Sequence, residues 1–217
     1  MPWAPSYATA DDLRDFVRID DDADDAVLTA ALAGASRMID NAADPRPGWT
    51  RQFGRTEDAE ARYYTPSRRG YAVPVRDQWV VETDDIADPD GALDVAVDAT
   101  GDGAWQVVTG CIALPINAGA KGEPGTSVLF SRSSMRVPPL IAECVRVLVP
   151  WGWPDVPDAI HEASMLQASR LVSRRDAPFG VAGSPEVGSE VRLLAKLDPD
   201  VENLVRPFVR KIGSVLA

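Results

Sequence analysis

The chain is 217 residues long, 45% hydrophobic and 25% charged, with a formal net charge of −11 at pH 7. It is long enough to bury a substantial core, and no apolar run reaches the roughly 18 residues a membrane-spanning helix requires, so no membrane partner is expected. A chain this acidic does not grip nucleic-acid phosphates over its general surface; its charge fits either plain solubility or a surface that lets DNA pass without sticking.

The N-terminal stretch MPWAPSYATADD lacks the basic start and apolar core of a secretory signal, which gives the expectation of a protein made in the cytoplasm. Residues 9–18, TADDLRDFVR, predict a short helix with Thr9 as N-cap and Asp12 completing a capping box. Leu13, Phe16 and Val17 are its expected buried stripe. Residues 19–43 predict a longer helix, because Val27, Leu28, Ala31, Leu32, Ala35, Met38, Ile39 and Ala42 follow the helical period. Asp20, Asp21, Asp22, Asp24 and Asp25 cluster where the helix dipole favours negative charge. The run lacks the Gly and closing Glu of an EF-hand loop, so no calcium site is expected there.

Residues 44–60 carry Pro45, Pro47, Gly48 and Gly54 and read as a loop. From 61 to 151 the pattern changes to short β-branched and aromatic runs broken by Gly, Pro and Asp: RYYT, YAVPV, QWVVET, LDVAVD, AWQVV, CIALPI and CVRVLV. DATGDGAW is the clearest hairpin turn, with Gly101 and Gly103 free to take positive φ. GAKGEPGT, at 119–126, reads as a Gly-rich loop without the Gly-Lys-Thr order of a phosphate loop.

The stretch WGWPDVPDAIHEAS then stops a strand and starts a helix within a few residues. Pro154 and Pro157 bar helix before them and suit a first turn, so Trp151, Trp153, Pro154 and Pro157 mark a structural joint, with the tryptophans expected as a buried wedge between sheet and helix. The helix runs from about 157 to 175 and is broken by Pro178 and Gly180, with a flexible stretch expected over 180–188. Asp198 and Pro199 predict another short helix, kinked or stopped at Pro207. The expected fold is therefore α+β: a small helical bundle core from the two ends of the chain with an inserted β-rich region. Its parts are 1–60, a helix pair and loop; 61–153, the β insertion; 154–189, the core helix and Gly/Pro loop; and 190–217, a C-terminal segment.

The catalytic inventory is thin. His161 is the one histidine, no serine lies in a G-x-S-x-G elbow, and no catalytic, cofactor or metal site is expected. His161 reads as a surface or interface residue. Asp84, Asp85, Asp88 and Asp90 could hold a hard cation, but solvated loop charges are the favoured reading. Cys111 and Cys144 form no CxxC and read as reduced thiols. Arg174 and Arg175 sit beside a helix C-terminus, where cations are favoured; the functional alternative is an ion pair across a subunit interface. The C-terminal end is amphipathic: Leu204, Val205, Phe208 and Val209 supply apolar anchors, while Arg206, Arg210 and Lys211 are basic. That arrangement suits helix-in-groove docking, or packing on the chain's own helical core.

YATADDLRDFVRIDDDADDAVLTAALAGASRMIDNAA resembles the N-terminal helix pair of the head-to-tail adaptor (connector) proteins of long-tailed bacteriophages. WGWPDVPDAIHEASMLQASRLVSRRDAPFGVAG is similar to that family's strand-turn-helix, and LDPDVENLVRPFVR to its C-terminal segment. The insertion, with RYYTPS, DATGDGAW and LPINAGAKGEPGTSV, is similar to that of adaptors from phages of actinobacteria. The resemblance spans nearly the whole chain and rests on the order of packing motifs. It implies a structural, non-enzymatic virion protein at the neck: a dodecameric ring of self-contacts beneath the portal protein. That ring extends the channel through which double-stranded DNA passes and meets a stopper or tail-completion protein. It also implies that the C-terminal end docks on the portal. Two alternatives come from other classes: a host-surface or carbohydrate-binding module using Trp79 and Trp105, and a metal-assisted hydrolase.

Overall fold

A computed structural model describes residues 5–19, 23–46, 50–66, 79–130, 141–175, 181–182, 191–192 and 197–210, with backbone alone at 175, 181–182 and 191–192. Over these residues the chain is a mixed α+β fold of four helices and two antiparallel sheets, with one further short strand pair. It divides into two compact units, one from 1–51 and 156–210, the other from 52–155 and 211–217. The YAVPV segment, Asp20 to Asp22, Lys211 and most of the 180–188 stretch lie outside the described residues. Within that stretch, Val181–Ala182 pairs antiparallel with Val191–Arg192.

The first unit is helical: α1 (Ala10–Val17), α2 (Asp25–Ala43), α3 (Asp158–Arg175) and α4 (Pro199–Val205). Helix α1 begins as its sequence dictates. The Thr9 hydroxyl accepts from the Asp12 amide at 3.1 Å, and the Asp12 carboxylate accepts from the Thr9 amide at 2.8 Å. It ends at Arg18, whose φ of 59° turns the chain into the left-handed region. Leu13, Leu28, Leu32, Ala35 and Ala168 form the core, with Val17, Ala31, Met165, Leu171 and Val172 packed against it. Phe16 corrects the expected α1 stripe: it is 44% exposed. An eight-residue helix presents one narrow face, and Leu13 and Val17 occupy it.

The second unit is β-rich: β1 (Glu60–Tyr64), β2 (Trp79–Ile86), β3 (Asp94–Asp98), β4 (Trp105–Val108), β5 (Ile112–Leu114), β6 (Gly125–Phe130) and β7 (Val145–Val149). One sheet has the order β1-β7-β3-β4 and the other β2-β6-β5, all pairings antiparallel. Their inner faces share one core of Val81, Ile86, Val95, Val97, Val128, Phe130, Val145, Val147, Val149 and Trp151. The β3–β4 connection forms the expected hairpin, with φ of 75° at Gly101 and 86° at Gly103. The Asp98 carboxylate organises it by accepting from the amides of Gly103 at 2.8 Å, Gly101 at 2.7 Å and Thr100 at 3.2 Å. Those donors, Gly103 foremost, hold its pKa below the usual carboxylate value.

Two expectations change here. The 119–126 segment holds a 3-10 turn at Gly119–Lys121 and is a loop only as far as Pro124, because Gly125 opens strand β6. Gly125 is required by packing: a Cβ there would lie 2.9 Å from the Cβ of Ala113 on the neighbouring strand. Residues 52–60, expected with the helical part, belong to the β unit. The physical reason is a set of backbone bonds. Thr56 donates to the Trp151 carbonyl at 2.9 Å, Trp153 donates to the Gly54 carbonyl at 3.2 Å, and Arg55 bridges Gly152.

Candidate functional site

The C-terminal segment carries the sequence's sharpest functional expectation, and local chemistry builds it. Asp198 is the N-cap of α4, its carboxylate accepting from the Asp200 amide at 3.0 Å, and Pro199 occupies the first turn. The same carboxylate meets the Arg170 guanidinium of α3 at 2.5 Å, and the Asp198 amide donates to Gln167 Oε1 at 3.3 Å. Val201 and Val205 are buried in the helical unit. A 3-10 turn at Arg206–Phe208 follows, as expected from Pro207. Beyond it the Arg210 amide donates to the Ala43 carbonyl at 2.8 Å, and the Phe208 carbonyl accepts from the Arg51 guanidinium.

Residues 198–210 thus pack on the chain's own helical unit, the alternative that the sequence left open beside docking. Of the expected docking residues, Val205 is committed to this core. Leu204, Phe208, Val209 and Arg210 are half-buried, and Arg206 is exposed. Val205, Arg206 and Val209 line a groove of ≈ 270 Å³ together with Ala42, Leu197 and Glu202. Four of the six lining residues are apolar, and the other two are one acid and one base. Ala42, Leu197 and Glu202 were not among the expected site residues. Glu202 had a legible signal, since it stands four positions before Arg206 and so on the same helical face; Ala42 was legible only as a stripe residue of α2.

The joint residues fall at the unit boundary, which lies between Asp155 and Val156. Trp151 and Trp153 are both buried within the β unit. The Trp151 ring packs against Tyr64 with centroids 5.8 Å apart and carries the Arg62 guanidinium 4.7 Å above it. Trp153 packs on Phe53 at 5.3 Å and donates its indole N–H to Asp85. Between them Gly152 takes φ 105°, open to glycine and strained for other residues. Pro154 and Pro157 are half-buried on the way into α3. Arg174 is half-buried in the last turn of α3, and the side chain of Arg175 lies outside the described residues.

The acids read as solvated loop charges are partly otherwise. Asp84 and Asp85 belong to strand β2. Asp84 pairs with Arg62 at 2.9 Å and accepts from the Tyr64 hydroxyl at 3.0 Å, and Asp85 is buried under Trp153. Among the described residues no group of three or more His, Cys, Asp and Glu is placed to hold a metal ion. His161 Nε2 lies 3.5 Å from Asp12 Oδ2, both partly exposed. Burial pushes the Cys111 thiol up to about 11, so it is protonated near neutrality. No helix among the described residues is long and apolar enough to cross a membrane. Neither protein-family models nor curated proteins give a match to this chain.

Proposed function

We propose that the chain is a structural subunit of the bacteriophage neck: a head-to-tail adaptor that assembles as a ring beneath the portal, extends the DNA channel and receives the stopper or tail. The observation that supports it most is the unit formed by the helical parts of the segments that carry the sequence resemblance. Residues 7–43 are separated from 156–175 and 198–210 by the whole β-rich middle, yet all three share one helical unit. Shared packing of distant motifs is what a resemblance made of packing motifs should produce. The acidic chain, at −11, also suits a conduit that repels its cargo. In this reading the groove beside α4 receives a portal segment, with Val209 and Arg206 as contacts. Arg174 and Arg175 remain candidates for contacts between ring neighbours.

The test is genetic and direct. Deleting the gene should yield DNA-filled heads that fail to acquire tails and leak DNA, and complementation should restore them. Normal tailed particles from the deletion, or necks without density for this chain, would overturn the assignment.

A further inference from the structure

The four-stranded sheet has two open edges among the described residues, β1 on one side and β4 on the other. Strand β4 and the strand that follows it are unusual in composition: residues 104–120 contain no Asp, Glu, Lys or Arg, in a chain that is 25% charged. Open strands are ordinarily protected from pairing by charges, prolines or bulges. Strand β4, WQVV, has none of these, and Val107 stands 70% exposed on it. Ile112 and Ile116, just beyond, are 45% and 67% exposed. For a chain of charge −11, an uncharged flank is where a second copy can approach against least repulsion.

We propose that this flank is a self-association seam, in which β4 of one copy pairs antiparallel with β1 of the next. Strand direction supports it. Every neighbour in β1-β7-β3-β4 is antiparallel, so an even number of strands leaves β1 and β4 running in opposite directions. A second copy in the same orientation therefore sets its β1 antiparallel to β4 without being turned over. The three-stranded sheet β2-β6-β5 lacks this property, because its outer strands run the same way. Side chains agree as well. Tyr63, Arg146, Ala96 and Val107 form one row on the face turned away from the core; Ala96 is buried there, and Tyr63 is 50% exposed with its ring 5.6 Å from that of Trp105 in the same chain. Continuing that row places Tyr63 of the next copy against Val107, an aromatic–β-branched pair of the kind that stabilises sheets. A two-fold β4–β4 pairing would leave β1 uncovered, whereas the head-to-tail seam covers both edges and repeats, as a ring requires. The seam deepens the ring reading, resting on it for closure into a ring and on the strands for the pairing itself.

The test uses full-length chains carrying Val107→Cys or Tyr63→Cys, mixed and treated with a short bis-maleimide, with the wild-type chain reporting background from Cys111 and Cys144. The expected result is a heterodimer in roughly tenfold excess over either homodimer, since pairing raises the effective concentration of the two thiols. The doubly substituted chain should give a ladder beyond the dimer. Ala61→Cys, exposed on the same face of β1, replaces Tyr63→Cys if that variant melts early. Heterodimer no more abundant than homodimers overturns the seam, and dominance of the Val107→Cys homodimer assigns the flank to a two-fold dimer instead. If the seam fails while neck particles still hold a ring of this chain, the ring reading stands; if the particles lack the chain, that reading fails whatever the cross-links show.

Discussion

The indole N–H of Trp151 donates to the carbonyl oxygen of Glu60 at 2.8 Å, tying the end of β7 to the start of β1 across 91 positions of sequence. The same residue closes a second link, because its amide donates to the Thr56 hydroxyl at 2.9 Å and its carbonyl accepts from the Thr56 amide. Trp151 is thus the clasp through which residues 52–60 join the β unit.

The first prediction follows from that clasp. Trp151→Ala leaves a large cavity in a close-packed core and should cost about 3–5 kcal/mol. Trp151→Phe keeps much of the volume and loses the N–H, so it should cost distinctly less. Denaturant unfolding measures both. Equal stability of the alanine variant and wild type would contradict the packing described.

A second prediction concerns pH. Asp40 is buried on α2, where it accepts from the Tyr7 hydroxyl and lies 2.9 Å from the Arg37 guanidinium. Arg37 Nε makes no aligned hydrogen bond in that contact, so the pair is coulombic only. Burial dominates and pushes the Asp40 pKa up to about 6 from 3.8, with Tyr7 and Arg37 pulling it part of the way back. A carboxyl with a raised folded-state pKa binds its proton more tightly when folded, so stability rises as pH falls from above 6 towards 4. The ceiling is on the order of 2–3 kcal/mol at 1.36 kcal/mol per pKa unit. Asp12, Asp44 and Asp98, all lowered, act below that window and with the opposite sign. Asp40→Asn keeps the shape and cannot titrate. The difference between wild-type and Asp40→Asn unfolding free energies should therefore slope between pH 6 and 4, and a flat difference would show that Asp40 is ionised at no cost.

A third prediction isolates backbone strain. Gly103 has φ 86°, and a Cβ built there meets nothing within 4 Å. Gly103→Ala therefore tests conformation without a clash and should cost about 1–2 kcal/mol, the penalty of a left-handed L-residue. Gly103→Asn, better tolerated in that region, should fall between the two. If alanine is neutral, the turn has relaxed to another type.

How far the sequence foretold this molecule depended on how local each signal is. The α1 capping box, the Asp198–Pro199 start of α4 and the Asp98–Trp105 hairpin are encoded within a few residues, and their geometry matches the sequence pattern closely. What was illegible is non-local. Phe16 has the spacing of a buried residue, yet nothing in its own helix says that Leu13 and Val17 take the packing face. Strand β6 was hidden because Gly125 looks like loop until Ala113 is seen across the sheet. The groove beside α4 is assembled from α2, α4 and the segment before α4, so Ala42 and Leu197 carry no signal of their own as lining residues. Asp84 and Asp85 read as loop charges because their partners, Arg62 and Trp153, lie far away in sequence.

The last prediction separates docking from folding at the C-terminal end. Val201 and Val205 are buried, so deleting the whole segment from Asp198 would remove core and confound the two roles. Substitutions on the groove itself discriminate. Val205→Asp places a charge in the core and should unfold the helical unit, costing about 3 kcal/mol or more. Arg206→Glu reverses the charge of an exposed rim residue, and exposed substitutions of this kind usually change stability by no more than about 0.5 kcal/mol. Reversal of a rim charge acts instead on association, through electrostatic complementarity with whatever fills the groove. If a portal segment docks there, Arg206→Glu should melt like wild type yet join filled heads poorly, and a compensating charge reversal on the portal should restore joining. Val209→Asp should weaken joining further by charging the apolar wall. Full recruitment of both variants to filled heads would show that the groove serves only the chain's own packing and that the portal is met elsewhere.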